Sequence, residues 1–145
     1  MKRYALALIV AAVAFAPVAV QAKPTFEAVV AKDQDSKPTT SFPSDIDQVM
    51  VFFQSKGTKA GDKVRIAWIA EDVGEVAPKN YKIDEASFDL DKDDGSGGGK
   101  VSRPNNGWPA GKYRADIYDG DALATSVKFT IDAPKKDADD DKEGD

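Results

Sequence analysis

The chain has 145 residues, with 20 Lys and Arg against 25 Asp and Glu, and its formal net charge is −5 at pH 7. It contains no His and no Cys, which excludes a Ser-His-Asp triad, a Cys nucleophile, a disulfide and a Cys/His metal site. An acidic chain also lacks long-range attraction for nucleic acid or for an anionic membrane surface. We therefore expect neither as a partner.

The first 22 residues have the pattern of an export signal. Two basic residues precede an apolar run from Tyr4 to Val20, and Ala22 is the small residue that a signal peptidase reads. A membrane anchor is the alternative, but Pro17 interrupts the run, and the run is short for a membrane span. We predict that residues 1–22 are cleaved and that the protein is periplasmic or secreted, with no membrane insertion afterwards.

Four segments before residue 91 have the composition or the alternation of β-strands. They cover residues 25–30, 45–54, 63–70 and 83–90. The third alternates most cleanly, with Trp68 in its inward set, and Phe88 lies in the inward set of the fourth. The polar stretch from Lys32 to Ser44 predicts a loop in which Phe42 is the one inward residue.

The stretch from Asp91 to Gly99 combines aspartates with four glycines. Together with Asp89, its carboxylates look like the start of a calcium loop. However, Asp94 stands where that loop requires Gly, and Lys100 stands where it requires Glu. Four glycines in five positions cost much backbone entropy to order. We therefore predict a mobile, solvated hairpin tip without a bound cation, followed by a short strand over 100–103.

The chain then closes with a predicted antiparallel hairpin. Tyr113 begins the inward set of the first arm, and the odd-numbered residues from Leu123 to Ile131, which include Phe129, form the inward set of the second. The turn at 119–121 contains Asp-Gly, a dipeptide that suits a tight primed turn. The acidic residues that follow, 133–145, are predicted to be a disordered tail.

About seven short strands without a helical pattern predict an all-β antiparallel sandwich. Trp68 in mid-strand and Tyr113 after a glycine bend match the core Trp and the corner Tyr of immunoglobulin-type domains, and Ala115 stands where antibody domains carry Cys. The chain resembles the small exported immunoglobulin-like domains of bacterial envelope proteins, through residues 61–68, 107–113 and 129–131. The resemblance implies a disulfide-free immunoglobulin-like sandwich over residues 23–132. It implies no function.

Trp108, in the loop after Asn105 and Asn106, is the main candidate for a recognition residue. An exposed indole there would stack on a sugar ring or on a partner protein. A buried indole would close the end of the sandwich, and we favour this interpretation because Trp is highly buried on average. Trp68, Phe88, Tyr113 and Phe129 are predicted to form the core. No catalytic, cofactor-binding or metal-binding residue is predicted.

These observations favour a non-enzymatic module of the cell envelope, which binds a protein or an envelope component through loops at the end of the sandwich. A protease inhibitor that presents residues 91–103 or 107–111 is the alternative. A carboxylate-based hydrolase is a third hypothesis, and it would need carboxylates that face each other across a cleft. The long strand over 122–131 can be an edge, so the sequence allows a monomer or a weak dimer.

Overall fold

The structure is a computed structural model that describes Pro17 and residues 23–134. Eight β-strands and no helix make up this part of the chain, so it offers no helix that could cross a membrane. The strands are β1 Thr25–Ala31, β2 Ser41–Phe42, β3 Gln48–Lys56, β4 Lys63–Asp72, β5 Tyr81–Asp89, β6 Ser96–Ser102, β7 Gly111–Asp119 and β8 Ala122–Ile131. The predicted signal (1–22) and acidic tail (133–145) lie outside the described residues, apart from Pro17 and residues 133–134.

The strands form two sheets. The smaller has the order β1-β3-β6, and the larger has the order β2-β8-β7-β4-β5. The predicted all-β, immunoglobulin-like sandwich is therefore confirmed. The eighth strand is β2, which lies in the predicted loop and pairs in parallel with the end of β8. It forms because Phe42 is buried against the ring of Phe129, at 5.7 Å between ring centroids.

Aromatic rings fill the space between the sheets. The ring of Phe129 lies 5.4 Å from Tyr113, in a stacked arrangement, and 6.1 Å from Trp68, which it meets edge to face. Offset-stacked and edge-to-face arrangements are the favoured geometries of such pairs. Trp68, Tyr113 and Phe129 are all buried, and Phe88 is half-buried against the core at its rim.

Three of the four glycines of the predicted mobile tip belong to β6. Gly97, Gly98 and Gly99 pair in register with β3, so the prediction of a soft tip was wrong from Ser96 onward. A Cβ atom on Gly97 would stand 2.9 Å from the ring of Phe88, which itself stacks on Phe53. Ladder hydrogen bonds and aromatic packing together offset the entropy that the glycines lose.

The predicted hairpin of β7 and β8 is present, with a bulge that the alternation did not reveal. The chain turns at Gly120 and Asp121, and Gly120 has the positive φ, 61°, that a primed turn requires. The register shifts between Ile117 and Tyr118, so Leu123 pairs with Tyr118 on the outer face of the sheet. Leu123 is 56% exposed, and its predicted inward position was wrong.

Candidate functional site

The indole of Trp108 closes one end of the sandwich. Its Nε1–H donates a hydrogen bond of 2.8 Å to the carbonyl oxygen of Ile46, and its ring meets Tyr113 edge to face at 5.8 Å. The residue is 5% exposed, so an exposed stacking aromatic is not what this position provides. Its neighbours Asn105 and Asn106 are exposed.

Tyr113 fixes the loop that carries Trp108. Its hydroxyl donates a hydrogen bond to the carbonyl oxygen of Pro109, four residues upstream, as the corner Tyr of an immunoglobulin-type domain does. Gly111 begins β7 at this corner, where a Cβ atom would collide with the backbone carbonyl oxygen of Asp72 at the end of β4. Burial raises the pKa of the Tyr113 phenol to about 12, so the hydroxyl stays protonated and keeps donating.

Beside this plug lies an apolar cavity of about 450 Å³, lined mainly by the connection of residues 73–80 with the start of β5 on one side and by residues 104–109 on the other. We call it the end cleft. Its size falls in the range of small-molecule sites, and its lining is mainly apolar, as in such sites. Two large apolar side chains at the cleft are exposed to water, Val76 by 70% and Tyr81 by 53%. The described residues contain only two further exposed side chains of this kind, Val29 on β1 and Leu123 on β8.

The end cleft offers few polar groups. None of the described residues that line it carries a carboxylate, an ammonium or a guanidinium group, so no general acid or base of those types is present. The indole N–H of Trp108 and the hydroxyl of Tyr113 already have partners in the protein. The side chain of Asn106 and the phenol of Tyr81 are the polar groups left at the rim. The lining therefore offers mainly apolar contact.

Sequence reasoning missed Val76 and Tyr81. The sequence predicts a connection over residues 71–82, which are rich in charged side chains and can include a short edge strand, and a connection predicts no particular partner for its side chains. The one signal was that Val73, Val76 and Ala77 interrupt this polarity. The structure shows why they are apolar: Val73 is buried in the core, Ala77 packs against it, and Val76 stands at the mouth of the cleft.

The aspartates that resembled a calcium loop bind backbone amides. Oδ1 of Asp94 accepts the N–H of Gly57 at 2.7 Å, and Oδ1 of Asp93 accepts the N–H of Ala60 at 2.9 Å. Asp89 lies 3.5 Å from the amino group of Lys63, and Asp91 is exposed. The carboxylates of Asp93 and Asp94 therefore fasten the 90–95 loop to the 57–62 loop, at the end of the sandwich opposite the end cleft.

A second cluster of polar side chains lies on the outer face of the larger sheet. Nε of Arg114 contacts both carboxylate oxygens of Asp116, at 3.0 and 3.1 Å, and Ser126 donates to the same carboxylate at 2.6 Å. Arg114 also donates to Asn80 and contacts Glu71. These bonds hold the charges of Arg114 and Asp116 within the sheet surface. In residues 23–134 no three His, Cys, Asp or Glu side chains cluster as a metal site would require.

The two segments named for a protease inhibitor differ in structure. Residues 96–102 form β6 within the smaller sheet, and the 107–111 segment is held down by the buried ring of Trp108.

Solved structures share this fold. An immunoglobulin-like protein from Pseudomonas aeruginosa is 18% identical, covers 77% of this chain and 98% of its own, and has a TM-score of 0.49. An alkylpurine DNA glycosylase from Pseudomonas fluorescens, bound to DNA containing an abasic site analogue, is 11% identical over 77% of this chain and 31% of its own, with a TM-score of 0.50. The β-glucosidase 3B from Thermotoga neapolitana, in complex with glucose, is 13% identical over 77% and 16%, with a TM-score of 0.47.

No protein-family model matches the chain, and no curated protein matches it. The chain spans under a third of the glycosylase and about a sixth of the glucosidase. At these identities the likenesses concern the fold alone. The class that fold and topology define is the immunoglobulin-like β-sandwich without a disulfide.

Proposed function

We propose that this protein is a non-catalytic, exported binding module, which uses the end cleft to hold a bulky apolar side chain of a partner protein in the cell envelope. The observation that carries the proposal is the exposure of Val76 and Tyr81 beside an uncharged apolar cleft. Exposed apolar side chains that converge on a concave site are typical of recognition surfaces. The export pattern of residues 1–22 supports an envelope location.

A protein side chain suits the cleft better than a sugar does. Sugars need several hydrogen-bonding partners, whereas the cleft offers few, and the indole N–H of Trp108 is already bound to Ile46. The phenol ring of Tyr81 and the methyl groups of Val76 offer apolar contact at the mouth. Leaving the polar hydroxyls of a sugar against such a lining would cost free energy.

The site can be tested with a small probe before any partner is known. Acetyl-phenylalanine amide, titrated into the protein and followed by amide chemical shifts, is expected to move the signals of Val76, Tyr81 and Gly107. The double variant Val76→Ser, Tyr81→Ser should lose these shifts. Leu123→Ser is the matched control, because Leu123 is equally exposed and lies at the far hairpin tip. Shifts spread evenly over the surface, or equal loss in the control, would contradict the proposal.

The location and the partner need their own experiment. Amino-terminal sequencing of the protein from the periplasm or the medium should begin at Lys23. Wild type and Leu123→Ser should then retain the same partner from an envelope extract, and the double variant should not. Retention by all three, or cytoplasmic protein that begins at Met1, would count against the module as proposed.

A further inference from the structure

Strand β6 is an edge of the smaller sheet, and its outer side is open. Within the described residues it pairs with β3 alone, in register and without a bulge along its whole length. The N–H of Ser55 donates to Gly95 just before this ladder begins, so the odd-numbered residues of β6 bond to β3. The N–H and C=O groups of the even-numbered residues point away from β3, and these residues are exposed. They are Ser96, Gly98, Lys100 and Ser102.

This edge lacks the features that usually keep an edge strand from pairing with another chain. Charges, prolines, bulges and covering segments are such features. β6 has one charged residue, Lys100, and no proline, and its three glycines have no side chain that shields the backbone. The other edges are better protected. β5 carries a bulge beside Trp68, β2 has two residues, and the carbonyl group of Val30 on β1 accepts the N–H of Thr39.

The inner face of β5 is only partly covered, because the larger sheet has five strands and the smaller sheet has three. The edge strand β6 lies above β4, where a Cβ atom on Gly99 would stand 3.3 Å from Cδ1 of Ile66. Ala86 of β5 pairs with this Ile66, and Asp84 pairs with Trp68. Paired residues point to the same face of a sheet, so Ala86 and Asp84 point inward with the core residues, yet both are exposed. A further strand beside β6 would cover them.

We propose that an extended segment of a partner protein binds along β6 as a fourth strand of the smaller sheet, with a Lys or Arg side chain opposite Asp84. Main-chain hydrogen bonds give such an added strand its affinity, and its alternate side chains give specificity. The seven residues of β6 offer about 24 Å of edge. Asp84 is the charged residue that β5 places on the uncovered face, and its carboxylate accepts only the adjacent N–H of Glu85, at 2.8 Å, among the described residues. A basic side chain on the added strand supplies the opposite charge.

A second copy of this chain suits the site less well. If its β6 supplied the strand, the side chains that face β5 would be those of Gly97, Gly99 and Val101. None of these could pair with Asp84, and the glycines would leave Ala86 largely uncovered. A segment of a different protein, with branched side chains and one basic residue on its inward side, fits both positions. The inference rests on the proposed function in taking the partner to be a protein, and it adds how the backbone of that partner is held.

A peptide of fixed sequence tests the proposal. The probe is acetyl-Thr-Val-Thr-Lys-Thr-Val-Thr-amide, titrated into the processed protein and followed by amide hydrogen exchange. Exchange is expected to slow at Gly98 and Lys100, whose N–H groups point outward, and to change little at Gly97 and Gly99, which already bond to β3. The peptide has no aromatic ring for the end cleft, so its result is independent of the test with acetyl-phenylalanine amide.

Variants at Lys100 separate the backbone of β6 from its side chain. Lys100→Pro removes an outward N–H that makes no bond in the free protein, and edge strands tolerate proline at such a position. It should weaken peptide binding by about tenfold or more, as expected for a lost hydrogen bond. Lys100→Gln is the matched control, because it keeps the N–H, and it should bind as wild type does.

Asp84→Asn tests the charge without changing the strand. It should weaken binding of the probe by about two- to fivefold, as for an exposed ion pair, and leave binding of the same peptide with Gln in place of Lys unchanged. Protection that appears on β5 or β2 instead of β6, equal binding by the two Lys100 variants, or an equal effect of Asp84→Asn on both peptides would each overturn the proposal. Slowing at Gly98 that follows protein concentration without peptide would also overturn it, because the occupant would then be a second copy.

Discussion

Gly98 lies so close to the carbonyl oxygen of Val51 that a Cβ atom on this residue would stand 2.5 Å from it. The contact is with backbone and therefore cannot be relieved by a side-chain rotation. Gly98 has a structural role in the smaller sheet, where β6 approaches β3 across a position that has room for hydrogen alone.

We expect Gly98→Ala to lower the free energy of unfolding by about 1–3 kcal/mol, because an overpacked site forces the backbone to shift. Urea denaturation followed by circular dichroism measures the change. Gly99→Ala is the control, since its nearest neighbour is the flexible Cδ1 of Ile66 at 3.3 Å, and it should change stability by less than about 1 kcal/mol. Equal losses in the two variants would contradict this account of β6.

Trp108→Phe tests the buried indole that closes one end of the sandwich. The variant keeps an aromatic ring but removes the N–H that satisfies the carbonyl oxygen of Ile46. A buried acceptor without a partner costs about 1–3 kcal/mol, and the smaller ring adds a cavity cost. We expect a loss within or above that range by urea denaturation. Unchanged stability would mean that water replaces the indole at Ile46 without cost.

Arg114→Met tests the buried charge on the outer face of the larger sheet. The variant leaves Asp116, which is 4% exposed, with Ser126 as a donor but without its cation. A buried pair that loses one partner is strongly destabilised, and since Arg114 is partly exposed we expect a loss of about 2 kcal/mol. Asp116→Leu combined with Arg114→Met should recover much of it. A double variant that is less stable than Arg114→Met would contradict the explanation.

Residues whose position follows from local alternation could be predicted from the sequence. Trp68 and Tyr113 lie in the core because each shares a parity with apolar neighbours on its own strand, and this parity is readable without any contact across the fold. The disulfide-free sandwich follows from the same pattern and from the absence of Cys.

Features that depend on contacts between distant segments could not be predicted in this way. Gly98 reads as flexible until the carbonyl group of Val51 is placed beside it. Strict alternation along β8 would place Leu123 inward, but an extra residue in β8 turns its side chain outward. Val76 and Tyr81 form a cleft only because residues 104–109 cross the end of the sandwich beside them.

Tyr113 should make the stability of the protein depend on pH in alkaline solution. Burial raises its pKa to about 12 in the folded state, against an ordinary value of about 10 in the unfolded chain. The stabilisation is therefore complete below pH 10 and is lost as pH rises toward 12, because only the unfolded phenol ionises in that window. Between pH 8 and 11 the loss amounts to about 1.4 kcal/mol, of which about 0.4 kcal/mol is lost by pH 10. Tyr113→Phe removes this contribution, so the difference in unfolding free energy between wild type and Tyr113→Phe should shrink by that amount over the same window. Urea denaturation at pH 8, 10 and 11 measures the difference, and a difference that stays constant with pH would show that the phenol ionises equally well in the folded protein.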